Sequence, residues 1–151
     1  MSMRYWTYQV DPRNFQMEEM LREREGKDIV FEPRDGAKKI NPGDVVFLCE
    51  TAAKRNPGML GKARVTGPVT KDIEGPPWQQ RFWIGKEKES DRKDLLRVPM
   101  EIIQVFNNRV PRSEIKKNTR LENLPFAKGY RGTVGEVTEL EASELDRVTD
   151  R

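Results

Sequence analysis

The chain has 151 residues, of which 35% are charged and 35% apolar, with 28 basic side chains against 25 acidic ones and a net charge of +3. That length suits one domain around one core, and the charge leans mildly toward an anionic partner. It contains no histidine, which excludes Ser-His and Cys-His nucleophiles, an imidazole base and histidine metal sites, so the expectation is a binder without cofactor and not an enzyme.

Three further absences narrow the class. The single cysteine, Cys49, has no internal disulfide partner and lies in an apolar run, as a small core hydrophobe would. No apolar stretch approaches the roughly 20 residues that span a bilayer, and the N-terminus lacks a signal peptide's apolar segment, so a cytoplasmic protein with no membrane partner is expected.

In chain order, Tyr5 to Val10 alternates as a strand, with Trp6, Tyr8 and Val10 on one face. Asp11 as N-cap and Pro12 at the first helical position predict a helix through Phe15, Met17, Met20 and Leu21 to Gly26. Asp28 to Glu32 reads as a short strand before Pro33. Arg34, Lys38 and Lys39 follow, either as phosphate contacts or as a solvated loop.

Residues 40 to 69 are the predicted centre of the fold. Asn41-Pro42-Gly43-Asp44 is a turn, and Val45 to Cys49 is apolar without alternation, as in an interior strand. Lys54-Arg55-Asn56-Pro57-Gly58 is a basic loop into a second strand, Met59 to Thr66. From Arg34 to Arg64 seven cations face three acids, whereas Glu136 to Asp150 is mainly acidic, so one side of the protein should be basic.

The segment Pro76-Pro77-Trp78-Gln79-Gln80-Arg81-Phe82-Trp83 places two indoles, two glutamines and an arginine together. Rings stack on bases, glutamine can bond a base edge and arginine can meet a phosphate. Trp83 is read in a strand from Arg81 to Ile84, either as a core anchor or as a pocket ring, and Trp78 in a loop. Lys86 to Asp94 is a solvated charge run. Leu95 to Phe106 is the longest predicted strand, with Pro99 at an edge or bulge. A short helix follows near Val110 to Lys117, then an irregular stretch to Tyr130, a last strand from Arg131 to Thr138 and a helix from about Ala142 to Val148.

Three stretches together resemble a known family. Ile40, Gly43-Asp44, Val45 to Leu48, Pro57-Gly58 and Met59-Leu60-Gly61-Lys62-Ala63-Arg64-Val65 are similar to the centre of EVE domains, which with YTH domains belong to the PUA-like superfamily. Tyr5 to Phe15 resembles the family's first strand with its x-P-x-x-F continuation. Arg131-Gly132-Thr133-Val134 to Thr138 resembles its closing strand. The resemblance implies an α+β fold, a small, strongly bent mixed β-sheet forming a pseudo-barrel flanked by short helices. It would be a single domain over 1–151, its last few residues free to be disordered. The family carries a Trp and an Asn-Tyr-like pair where this chain has Phe31 to Lys39, so no relative's ligand preference transfers.

The resemblance also implies a function. It suggests a bacterial nucleic-acid-binding module that accommodates a base, in particular a modified or methylated one, in an aromatic pocket with a basic rim. Trp78, Trp83, Tyr8, Val10, Asp11, Arg131 and Thr133 would line the pocket, and Arg34, Lys38, Lys39, Lys54, Arg55 and Arg81 would meet phosphates. DNA is weakly favoured over RNA, a partner nuclease or modification enzyme is conceivable, and the module would be a monomer. The alternatives are an RNA-binding PUA-like domain without modified-base recognition and a structural or protein-interaction domain.

Overall fold

The computed structural model describes residues 3–23, 28–32, 37–51, 56–84, 96–129 and 134–150, and among these residues it has six strands, five short α-helices and a 3-10 turn at Ala37–Lys39. Strand β1 (Tyr5–Val10) runs parallel to β3 (Val45–Glu50), with Tyr5 opposite Val45 and Val10 opposite Glu50. All other pairings are antiparallel: β3 with β4 (Gly58–Val65), β4 with β5 (Val98–Pro111), β5 with β2 (Asp28–Phe31) and β1 with β6 (Val134–Val137). The order across the sheet is β2-β5-β4-β3-β1-β6. Strands β1 and β2 therefore lie four places apart, yet Tyr8 stacks on Phe31 with ring centroids 4.5 Å apart. Only a sheet rolled on itself brings them together, which gives the bent half-barrel that the resemblance implied.

Strand β3 is buried at all six positions because both faces are covered. Val46 and Leu48 join Trp6, Tyr8, Phe31 and Met100 inside the curl, where α1 (Met17–Glu23) adds Met17, Met20 and Leu21. Val45, Phe47 and Cys49 point to the other side. There, Ile115 of α3 (Arg112–Lys117), Phe126 of α4 (Pro125–Lys128) and Leu145 of α5 (Glu139–Thr149) form a second core. Burial pushes the Cys49 thiol far above its ordinary range, which keeps it protonated and unreactive. Helix α5 is started by a capping box: the Thr138 hydroxyl accepts from Glu141 N–H while the Glu141 carboxylate accepts from Thr138 N–H.

The sheet tightens where β4 meets β5. A Cβ on Gly61 would lie 2.5 Å from the Gln104 carbonyl oxygen, so only glycine admits this approach.

Four local expectations change. Asp11 does not cap a helix at Pro12; its carbonyl accepts from Asn14 and Phe15 in a turn, and the helix begins at Met17, where three apolar residues can reach the core. Residues Arg81–Ile84 form no strand; Trp83 makes one isolated bridge to Phe15. Trp78 lies in a one-turn helix, α2 (Pro77–Gln80), started by its proline. Pro99 sits in an interior strand, not at an edge. Its carbonyl accepts from Thr66 just beyond the end of β4, so its missing N–H also points there and the β2 ladder loses nothing.

Candidate nucleic-acid interface

Because β1 and β3 are parallel neighbours, their following connections leave the sheet at the same end. Thr51 ties them: its N–H and hydroxyl both donate to the Val10 carbonyl, at 2.9 and 3.4 Å. Asp11 comes next, half-buried, and accepts from the Arg13 backbone N–H at 2.8 Å and from the Arg13 guanidinium at 2.7 Å. The Asp11 hydrogen bond raises the Arg13 pKa further, so the guanidinium is charged at every relevant pH.

Phe15 closes this turn from below. Its ring is fully buried, meets Phe31 edge-on at 5.9 Å and carries the half-buried indole of Trp83 at 4.6 Å. The backbone fixes that contact, since Gln16 N–H donates to the Phe82 carbonyl and Ile84 N–H to the Asn14 carbonyl. Trp83, Phe15, Phe31 and Tyr8 thus form a run of rings from the surface to β1. Trp83 is the member that solvent reaches.

The remaining predicted pocket residues are placed differently. Tyr8 is only 4% exposed and Val10 7%, so both back the site as core residues and neither lines it, a correction for Tyr8 in particular. Trp78 is half-buried with its indole N–H donated to the Asp28 carbonyl at 3.2 Å, and its ring meets Phe82 edge-on at 6.5 Å. Arg131 and Thr133 lie outside the described residues, as do Arg34, Lys54 and Arg55.

Among the described residues, the predicted cations do not form one rim. Arg81 is exposed but paired with Glu23, and its guanidinium also lies 4.9 Å over the Phe82 ring. Lys38 and Lys39 are exposed beside the Asn41–Asp44 turn, at the end of β1 and β3 opposite Val10. Five residue steps of strand put the two ends about 17 Å apart.

Three residues that the sequence reading passed over hold this end together. Glu50, at the end of β3, is wholly buried and accepts from Arg109 at 2.5 Å; Glu18 of α1 accepts from the same guanidinium at 2.5 Å. Burial lowers the Arg109 pKa, but its bonds to Glu50 and Glu18 outweigh that and leave it raised. Arg109 also donates to the Asn56 carbonyl at 2.6 Å, which fixes the far end of the β3–β4 connection. A Cβ on Gly58 would come within 2.5 Å of the Arg109 side chain, so that glycine is the passage for the arginine. A glutamate closing a run of five apolar residues was the available signal.

Gln79 is the other surprise. It is 1% exposed and touches no solvent that a base could occupy. Its carboxamide oxygen accepts from the Val30 N–H at 2.8 Å and its NH2 donates to the Val30 carbonyl at 2.7 Å. Val30 and Asp28 turn these groups away from β5, so Gln79 and Trp78 together satisfy the outer edge of β2.

A hollow of about 480 Å3 opens elsewhere, on the far side of the sheet, between Val110, Ile115, Leu121 and Val148 with Glu114, Asn118 and Arg147. Asn118 and Arg147 already spend donors on Glu144, at 2.6 Å each, so it offers a base little to bond.

Comparison with known proteins agrees with this architecture. The family model of the EVE domain matches residues 4–147. A hypothetical protein from Leishmania major is superimposable with a TM-score of 0.72 at 16% identity, over 99% of this chain and 96% of that one. Human THYN1, solved in complex with DNA containing 5-methylcytosine, gives 0.69 at 14% identity over 98% of both chains. The YTH domain of Zygosaccharomyces rouxii MRB1, in complex with N6-methyladenosine RNA, gives 0.57 at 11% identity over 97% and 86%. No curated protein matches the chain in sequence.

Proposed function

The chain belongs to the EVE domain family, and from that premise we propose that it is a nucleic-acid-binding module, not an enzyme, that receives a single base, in particular a methylated one, beside the end of β1. The observation that carries this reading is the half-buried Trp83 indole standing on Phe15 next to the Asp11 turn. A partly exposed ring braced by Phe15 is a stacking surface, worth roughly 1 to 3 kcal/mol per base. The Asp11 carboxylate accepts hydrogen bonds only, which matches the exocyclic amino group of cytosine or adenine. Arg13, fixed by Asp11 yet three-quarters exposed, is placed to meet a phosphate.

Human THYN1 with 5-methylcytosine DNA and the YTH domain with N6-methyladenosine RNA support a modified base as the ligand class. A buried methyl adds only about 0.8 kcal/mol, so discrimination also needs a fitted cage, and a base drawn from a duplex costs a few kcal/mol to extrude. DNA is the favoured strand type.

The test is fluorescence anisotropy with short DNA and RNA strands carrying plain, 5-methyl, 5-hydroxymethyl or N6-methyl bases, repeated over a salt series. One modified DNA strand should bind best, and the preference should survive added salt. Equal, strongly salt-dependent binding of all strands would leave only backbone attraction and remove the base site. Preferential binding of RNA would overturn the choice of DNA.

A further inference from the structure

Sequence alone reads Gln79 as a base-edge contact, yet the structure turns it inward. A primary amide offers one acceptor and one donor in the geometry of a peptide group, and here both meet one residue, Val30, on the open edge of β2. It therefore stands where the next strand of the sheet would stand. Around it, Gly75 to Ile84 is fastened to the rest of the fold elsewhere too: Trp78 donates to the Asp28 carbonyl, Arg81 pairs with Glu23, and the Phe82 and Ile84 backbones pair with residues 16 and 14, while Gln80 braces the segment from within through the Gly75 carbonyl at 3.0 Å. Gln79 is the buried one among the side-chain fastenings.

We propose that Gln79 is the positioning residue of the base site: its carboxamide clasps the 75–84 segment to the edge of β2 and thereby sets the Trp83 indole on Phe15. The inference rests on the base-binding reading above and assigns Gln79 no contact with the ligand. Three residues separate Gln79 from Trp83, the last of helix α2 and the turn that follows it, so a shift at the clasp carries directly to the ring. The charged groups around the clasp are Asp28 and Glu32 on β2 and its end, Arg97 bonded to Glu32, and Arg81 paired with Glu23.

Gln79→Glu tests this with almost no change of shape. As a carboxylate it keeps an acceptor for Val30 N–H but sets a negative oxygen against the Val30 carbonyl. As a carboxylic acid it again has one donor and one acceptor, and burial raises the pH at which that form prevails. The chain has no histidine, so no imidazole titrates between pH 5 and 8 to mask the effect.

At pH 8, Q79E should lose roughly tenfold in affinity for the best-bound modified strand while its salt slope stays that of the unsubstituted protein. Lowering the pH should restore affinity, and Gln79→Met should lose it at every pH. The 19F resonance of Trp83 in protein labelled with 5-fluorotryptophan, assigned with Trp83→Phe, should move in Q79E at pH 8 and return at low pH without any nucleic acid present. An unmoved Trp83 resonance in both variants overturns the clasp even if binding changes. A moved resonance with unchanged affinity, in a protein whose Trp83→Ala variant also binds normally, instead overturns the base-site reading.

Discussion

The two ends of the β1–β3 pair carry the same residue type in opposite circumstances. At the start, Asp44 is 3% exposed and accepts from Arg4 N–H at 3.0 Å, Trp6 Nε1 at 2.9 Å and Asn41 N–H at 2.9 Å. At the finish, Asp11 is half-buried, and its carboxylate accepts from the backbone N–H and the guanidinium of the exposed Arg13. The first carboxylate is consumed by the fold, because three donors converge on it and no ligand reaches it. The second is partly exposed at the surface, near a half-buried indole. Position relative to the strand, not residue chemistry, separates a structural aspartate from a candidate reader.

The sharpest way to break that comparison is to remove Arg109, which supports the Asp11 end from beneath. Arg109→Met takes a charged hydrogen-bond partner from the buried Glu50 carboxylate and should lower unfolding free energy by about 3 to 5 kcal/mol in urea titration. At the opposite end, Asp44→Asn leaves part of its donor set unmatched and should cost about 3 kcal/mol, with no selective loss of modified-base preference. If Asp44→Asn abolished that preference in a folded protein, the division between the ends would fail.

Trp83→Ala should reverse the pattern. It should remove about 1 to 3 kcal/mol of binding, seen by anisotropy, while costing less stability than a fully buried tryptophan, because the residue is already partly exposed. A smaller effect concerns Glu144, a carboxylate away from both ends. Hydrogen bonds from Arg147 and Asn118 hold its pKa down from 4.5 to about 2. Its contribution to stability is therefore complete above pH 4.5 and is lost as the pH falls toward 2, and Glu144→Gln should flatten the decline of Tm across that window. The smallest effect belongs to Lys38 and Lys39. Replacing both with alanine should lower the salt slope by about 1.4 for a single strand of twelve nucleotides, and leave a mononucleotide unaffected, because the lysines lie at the far end.

Much of the framework was legible because it rests on local rules. The unbroken apolar run Val45 to Cys49 marks an interior strand, the Asn41-Pro42-Gly43-Asp44 turn precedes it, and a helix was expected after Thr138, though from about Ala142, whereas the capping box starts it at Glu139. Trp83 was legible as an aromatic but not as a surface ring on Phe15, since that contact joins residues 68 positions apart through a single bridge. Gln79 was misread because its glutamine chemistry fits a base edge and a strand edge equally well. The cations were legible as a group by number alone; among the described ones, Lys38 and Lys39 lie away from Arg13 because strand direction puts them at the other end.

The sequence by itself pointed to a small α+β domain without imidazole chemistry, because composition, turn residues and apolar period act over a few residues at a time; the EVE family entered through the resemblance of three motif stretches. Only the tertiary structure decided which aspartate, which indole and which glutamine face solvent. Those choices depend on how a six-stranded sheet rolls and which of its edges must be closed, and both are set by contacts between residues distant in the chain.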